Sequence, residues 1–322
     1  MPATPQRQAA PPIPVTVIGG YLGAGKTTLV NHLLRHANGV RIAVLVNDFG
    51  ALQIDAELIA AADGDTVSLT NGCICCSLAG GMMEALQAVA ARPQPPERVV
   101  IETSGVSDPV AVAQYAHLPG FRLDAVIVLA DAETVRRRST DRHVGRHVLQ
   151  QLRGADLLVL NKVDLVDPER LAAVRTWLSE AATGVRMIHA VNAHVPMAVL
   201  FDTGHQRELS QHHDAAARVE HRSWTFVDDR PVDRAAFDQW VAALPPSVVR
   251  AKGFVEFVEE PGVQWEFQLV GARHRLTRRE GDARGGTRVV LIGLPADGAE
   301  PESPSLRSWR AGIAAAPTEE LS

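Results

Sequence analysis

Residues 20–27 read Gly-Tyr-Leu-Gly-Ala-Gly-Lys-Thr, and few strings restrict a chain so strongly. The run fits the pattern G-x4-G-K-[ST]. An apolar, β-branched stretch precedes it (PVTVIGG, 14–20), and a stretch with helical spacing follows (KTTLVNHLLRHA, 26–37). The pattern predicts a buried strand, a glycine-rich turn and a helix. Gly20, Gly23 and Gly25 let backbone N–H groups approach phosphates with no Cβ in the way. The helix N-terminus adds a favourable dipole. Lys26 can reach the β- and γ-phosphates, and Thr27 can ligate Mg²⁺. Tyr21, Leu22, Ala24 and Thr28 complete the run expected to touch the nucleotide.

The same grammar continues. RIAVLVND (41–48), DTVSLTNG (65–72), ERVVIETSG (97–105), LDAVIVLADA (123–132) and ADLLVLNKVD (155–164) read as further strands. Helical stretches lie between them, SLAGGMMEALQAVAAR (77–92) among them, and PERLAAVRTWLSEAA follows the last. Continuous apolar strands alternating with helices imply a mostly parallel, doubly wound α/β sheet covered on both faces. Near residue 200 the pattern stops. Residues 202–221 are polar and carry His205, His212 and His213, as a linker would. From 222 to 294, SWTFVDD, VVRAKGFVEFVEE, VQWEFQLVG and TRVVLIG read as strands and PVDRAAFDQWVAAL as a helix. That predicts a smaller α+β domain with a mixed or antiparallel sheet. The expected division is thus a leader (1–13), an α/β domain (14–201), a linker (202–221), an α+β domain (222–294) and a tail (295–322).

Composition removes several classes of function. A net charge of −5 gives no basic field for nucleic acid. No apolar run approaches the roughly 18–20 residues that span a bilayer. The leader, MPATPQRQAAPPIP, lacks the apolar core of a secretory signal. All 3 cysteines, Cys73, Cys75 and Cys76, stand in NGCICCS, with no distant thiol to cross-link. A reducing compartment, the cytoplasm, is the expectation. Only Lys26, Lys162 and Lys252 are lysines among 32 Lys+Arg, leaving 29 arginines.

Two of those lysines lie in motifs. In NKVD (161–164), Asn161 and Asp164 offer an amide and a carboxylate at a strand's end. The carboxylate can accept two N–H bonds from guanine, which adenine does not offer, while Lys162 lays its stem along the base. In VVIETSG (99–105), Glu102 can hold the Mg²⁺ sphere through water, and Gly105 can offer its N–H to the γ-phosphate. Asp48, in VNDFGA (46–51), is either a metal ligand or a turn residue. The CxCC thiolates suit a soft or borderline cation: Zn²⁺ first, with Cu(I), Co²⁺ or Ni²⁺ admissible. Zn²⁺ wants four ligands and CxCC supplies at most three. An open position suits a carrier, and Asp48, a histidine or water are candidates for the fourth ligand. The linker histidines are either solvated or an accessory loading site.

TVIGGYLGAGKTTLVNHLL, VNDFG, NGCICC, ETSGVSDP and NKVDL, in that order, resemble the CobW-like P-loop GTPases, a family of metallochaperones. VVRAKGFVEF resembles that family's second domain. The resemblance covers roughly residues 14–293. It implies the P-loop NTPase fold, GTP and Mg²⁺ as ligands, and Glu102 at the Walker B position. It also implies that Cys73, Cys75 and Cys76 bind zinc or another transition metal between nucleotide-sensing loops. The chain departs from the family's usual Asn-Glu-Phe-Gly at Asp48. It lacks the acidic neighbours many members carry, having Val46 and Ala51 instead.

These readings converge on a slow GTPase that holds metal in its GTP state and releases it to a client metalloprotein after hydrolysis. The second domain would dock the client, with Lys252 near the domain interface, and homo-oligomers are compatible with the reading. One alternative serves cobalt insertion into a corrinoid or maturation of an Fe- or Co-dependent hydratase. Another is a nucleotide-gated metal buffer or sensor without transfer. No glutamine or arginine stands out from the sequence as the residue that would position water or neutralise developing charge.

Overall fold

The computed structural model describes residues 11–37, 39–47, 66–68, 78–201, 222–279 and 286–293. Asp48, Cys73, Cys75, Cys76 and the linker histidines lie outside them. The chain divides into two compact units. Met1–Ala155, Val159–Ala182 and Val191–His194 form the first, and Asp156–Leu158, Thr183–Ala190 and Val195–Ser322 the second.

The larger sheet has 7 strands in the order β3-β2-β4-β1-β5-β6-β7. They are β1 (Ile13–Gly20), β2 (Ile42–Asn47), β3 (Thr66–Ser68), β4 (Arg98–Thr103), β5 (Phe121–Asp131), β6 (Leu157–Asn161) and β7 (Arg186–Ala190). The pairings of β1 with β4 and β5, and of β2 with β3 and β4, are parallel, as the unbroken apolar runs predict. All six residues of β4 and all five of β6 are buried, the mark of strands covered on both faces.

Helices follow the strands. They are α1 (Lys26–Arg35), α2 (Leu78–Ala90), α3 (Pro109–Ala113), α4 (Val135–Ser139), α5 (Gly145–Arg153), α6 (Pro168–Ala181) and α7 (Met197–Leu200). In α1 the buried residues are Lys26, Leu29, Val30 and Leu33, one helical face. Two starts follow capping rules. Asp108 accepts from Val110 N with Pro109 in the first turn of α3, and Asp167 accepts from Arg170 N with Pro168 in the first turn of α6.

The smaller sheet has 5 strands in the order β11-β10-β9-β12-β8, and every pairing among them is antiparallel. They are β8 (Arg222–Asp228), β9 (Val248–Glu256), β10 (Gln264–Val270), β11 (Arg273–Arg278) and β12 (Thr287–Gly293). Helix α8 (Arg234–Ala242), capped by Asp233, buries Phe237, Trp240 and Val241. Phe237 meets Phe257 and Phe267 edge-on at centroid distances of 5.5 and 5.0 Å. Inward residues of the sheet complete this core, including Phe226, Ala251, Leu269 and Leu291. The smaller sheet is thus antiparallel throughout. Strands β7 and β11 are additions to the elements expected from sequence.

Candidate functional site

The glycine-rich turn joins β1 to α1, and its geometry requires its glycines. Gly20, Gly23 and Gly25 have φ of 133°, 80° and 104°, values an L side chain rarely adopts. A Cβ on Gly25 would stand 2.4 Å from Asn161 Nδ2, and one on Gly20 would stand 2.4 Å from the Leu129 carbonyl. Gly25 also caps α1, so Lys26, Thr27 and Thr28 occupy the helix's first turn. Lys26 is largely buried, at 8 % exposure.

Glu102, next to last in β4, is 2 % exposed. Its Oε1 accepts a 2.7 Å hydrogen bond from the Thr27 hydroxyl. The pairing of β1 with β4 sets this up, because Ile18 lies opposite Glu102 and the chain then turns through the loop to Thr27. A hydroxyl and a carboxylate side by side, at the foot of a phosphate loop, are the hard oxygen donors that suit Mg²⁺. Gly105 lies against the same loop: a Cβ there would fall 2.7 Å from Leu22 N.

Asn161 closes β6 and is buried at 2 % exposure. Its Nδ2 donates to the Ala24 carbonyl at 2.9 Å, and its Oδ1 accepts from Ala193 N at 2.8 Å. Its amide therefore clamps the phosphate loop to the Val191–His194 turn. Lys162 takes a left-handed conformation (φ 62°) and donates to Asp131 Oδ2 at 2.8 Å. That bond fixes the lysine stem to the end of β5. Asp164 sits in a short 3₁₀ turn, Val163–Leu165, with its side chain exposed.

The structure thus gathers Gly20, Gly25, Lys26, Thr27, Glu102, Gly105 and Asn161 at or just beyond the carboxyl ends of β1, β4 and β6, and Asp164 follows in the turn after Asn161. It also brings in residues that the sequence reading did not single out. Gln151, on α5 and 1 % exposed, donates from Nε2 to the carbonyls of Ser107 and Gly105 at 2.7 and 3.2 Å. Its neighbour Gln150 donates to Asp108 Oδ2 at 2.7 Å. The Ser104 and Ser107 hydroxyls bond each other at 2.7 Å. The loop after β4 is therefore held by α5 and by its own pair of hydroxyls. Arg138 lies over the Tyr21 ring, 5.4 Å from its centroid, and lines a small cleft with Tyr21, Leu22, Ala24, Thr134 and Gln151. No spacing rule links α4 or α5 to the phosphate loop, so only the three-dimensional arrangement reveals these contacts.

Comparison with known proteins gives the same outline. The description "CobW/HypB/UreG, nucleotide-binding domain" matches residues 14–189, and "Cobalamin synthesis protein cobW C-terminal domain" matches residues 221–303. A zinc chaperone CobW from Sinorhizobium sp is 32 % identical over 334 aligned positions, covering 88 % of this chain and 93 % of the relative. Zinc-regulated GTPase metalloprotein activator 1 of Schizosaccharomyces pombe is 33 % identical over 175 positions, covering 51 % of this chain and 42 % of the relative. Among solved structures, Zn(II)-bound YjiA GTPase from E. coli aligns at 22 % identity with a TM-score of 0.43, covering 95 % of this chain and 99 % of that one. The chain belongs to the CobW family, with a nucleotide-binding domain of the CobW/HypB/UreG type followed by a CobW C-terminal domain.

Proposed function

We propose that this protein is a GTP-hydrolysing metallochaperone that carries Zn²⁺ on Cys73, Cys75 and Cys76 and passes it to a client metalloprotein. The observation that carries the nucleotide half is the 2.7 Å bond between Thr27 and Glu102 beneath a phosphate loop braced by Asn161. Thr27 and Glu102 would hold Mg²⁺, which supplies charge neutralisation at the β- and γ-phosphates. Lys26 binds those phosphates. Gly105 offers its N–H to the γ-phosphate, so the loop it belongs to responds to hydrolysis. Asp164 accepts the N–H groups of guanine, and Lys162, pinned to Asp131, keeps its stem along the base.

The metal half rests on the chemistry of three adjacent thiolates and on the family. Three sulfur ligands leave a fourth position through which a client ligand can enter. Asp48, in the first nucleotide-sensing loop, is a candidate for that position. GTP favours the holding state and hydrolysis the releasing one. By linkage, metal then changes GTP affinity by the same factor. Hydrolysis by the isolated protein is slow and the client accelerates it. The client docks on the C-terminal domain, where Lys252 lies half-buried in β9. No helix among the described residues is long and apolar enough to cross a membrane.

The test is zinc affinity measured with GDP and with a non-hydrolysable GTP analogue. Tighter binding with the analogue, lost on replacing the three cysteines by serine, supports the reading. Equal affinities in the two states would sink the coupling. Zinc binding that persists without the cysteines would sink the assignment of the cargo site.

A further inference from the structure

We infer that Arg138 is a positioning residue for hydrolysis, acting on the phosphate loop through Tyr21. This role presupposes the GTP hydrolysis proposed above. On α4, Val135 is buried and Arg138 half-buried, while Arg136 and Arg137 between them are exposed. Val135 and Arg138, three residues apart, therefore share the inward face. Both line the cleft that Tyr21, Leu22 and Ala24 also line. The Arg138 guanidinium carbon stands over the Tyr21 ring, 5.4 Å from its centroid and within the roughly 6 Å range of a cation–π contact.

The base of that contact is firm. The Arg138 backbone N–H donates to the Thr134 carbonyl at 2.9 Å, and the Ser139 hydroxyl donates to the Arg136 carbonyl at 2.7 Å. Helix α4 ends against α5, where a Cβ on Gly145 would fall 2.3 Å from the Ser139 carbonyl. Asp141, the carboxylate electrostatically coupled to Arg138, accepts through Oδ1 from the N–H groups of His143 and Val144 at 2.8 and 3.2 Å. The Tyr21 ring is therefore the group that orients the guanidinium.

Tyr21 passes the constraint into the loop. Its carbonyl accepts from Ala24 N at 3.1 Å, which closes the turn, and the Ala24 carbonyl is the one Asn161 holds. Leu22, inside that turn, brings its backbone N within 2.7 Å of where a Gly105 Cβ would stand. Loss of the Arg138 contact frees the side of the loop that borders Gly105. It leaves Lys26 and Thr27, in the first turn of α1, where they are. The effect falls on the transition state rather than on nucleotide binding.

The experiment measures GTP turnover by the full chain with Mg²⁺, alongside GDP affinity. Arg138→Ala should lower kcat by about three- to tenfold, with KM and GDP affinity moving by less than about twofold. Arg138→Lys keeps a cation without the planar guanidinium, so its kcat should lie between those of wild type and Arg138→Ala. Arg137→Ala, on the exposed face of the same helix, should leave turnover unchanged. Tyr21→Leu should slow turnover at least as much as Arg138→Ala does, and the double variant should be no slower than Tyr21→Leu alone. Thermal unfolding of each variant checks that the fold is kept. Turnover that Arg138→Ala leaves unchanged overturns the role while GTP hydrolysis stands. So does an equal loss in Arg137→Ala, or a double variant in which the two losses multiply. A wild-type chain without GTP turnover overturns hydrolysis itself, and the role with it.

Discussion

Of the buried carboxylates on the strands beside β1, Asp124 and Glu102 differ in what they meet. Asp124, on β5, is 4 % exposed; Glu102, on β4, is 2 % exposed. Asp124 sits where the β1–β5 register slips, since Val15 faces Leu123 and Thr16 faces Ala125. The irregularity places it within 3.6 Å of Arg98 Nη1 and 3.5 Å of the Thr16 hydroxyl. Its charge is compensated by a fixed cation. Glu102 instead accepts from the hydroxyl of Thr27, a group at the head of a phosphate-loop helix. Burial of a carboxylate does not by itself mark function; the partner distinguishes an internal brace from a candidate for the nucleotide site.

Substitution should separate the two on different axes. Asp124→Asn leaves Arg98 buried without its counter-charge and should cost about 3 kcal/mol in urea unfolding. GTP turnover per folded molecule should hold. Glu102→Gln keeps shape and volume. It should leave stability within about 1 kcal/mol while slowing hydrolysis by about 10²-fold or more. If Asp124→Asn slows turnover as much as Glu102→Gln does, the distinction fails.

Asn161 blurs the comparison usefully, because it is a brace that we also propose as part of the nucleotide site. Asn161→Ala removes bonds of 2.9 and 2.8 Å and leaves the Ala24 carbonyl and Ala193 N–H without this partner. Stability should fall by about 2 kcal/mol. Guanine-nucleotide affinity should fall with it, by on the order of tenfold, or about 1.4 kcal/mol. A loss of stability with unchanged nucleotide affinity would class Asn161 with Asp124. Calorimetric titration with GDP decides.

How much of this was legible in sequence follows from range. The phosphate loop could be read because its glycines, lysine and threonine are contiguous and local backbone geometry demands them. The apolar strands could be read because burial on both faces leaves no polar alternation. Strand β7 (RMIHA) is short and carries polar residues at both ends of an apolar pair, so no run announces it. Strand β11 (RHRLTR) lies at a sheet edge and is mostly exposed, so its residues look like a loop. Asn161 was legible as a strand-end amide; that it clamps the loop from 137 residues away was not. Neither were the glutamines on α5, because contacts between distant segments leave no spacing signature. The fold could thus be read from patterns of one or two turns, and the site's supporting contacts could not.

The smallest effects probe those supporting contacts. Gln151 Nε2 carries two hydrogens but lies near three acceptors: Ser107 O at 2.7 Å, His147 Nε2 at 3.0 Å and Gly105 O at 3.2 Å. Because the amide donates, His147 accepts through Nε2. Gln151→Leu removes the donor from two carbonyls of the loop that follows Glu102. It should cost about 1–2 kcal/mol. It should also lower kcat for GTP more than it raises KM, since it loosens the loop proposed to sense the γ-phosphate without touching Lys26. His147→Ala should do much less, under about 1 kcal/mol, because both amide hydrogens can then go to the Gly105 and Ser107 carbonyls. The ordering is the point of the pair. If His147→Ala matches Gln151→Leu in both stability and kcat, the loop is held by the imidazole's packing on α5. Gln151 would then belong with Asp124 among the internal braces.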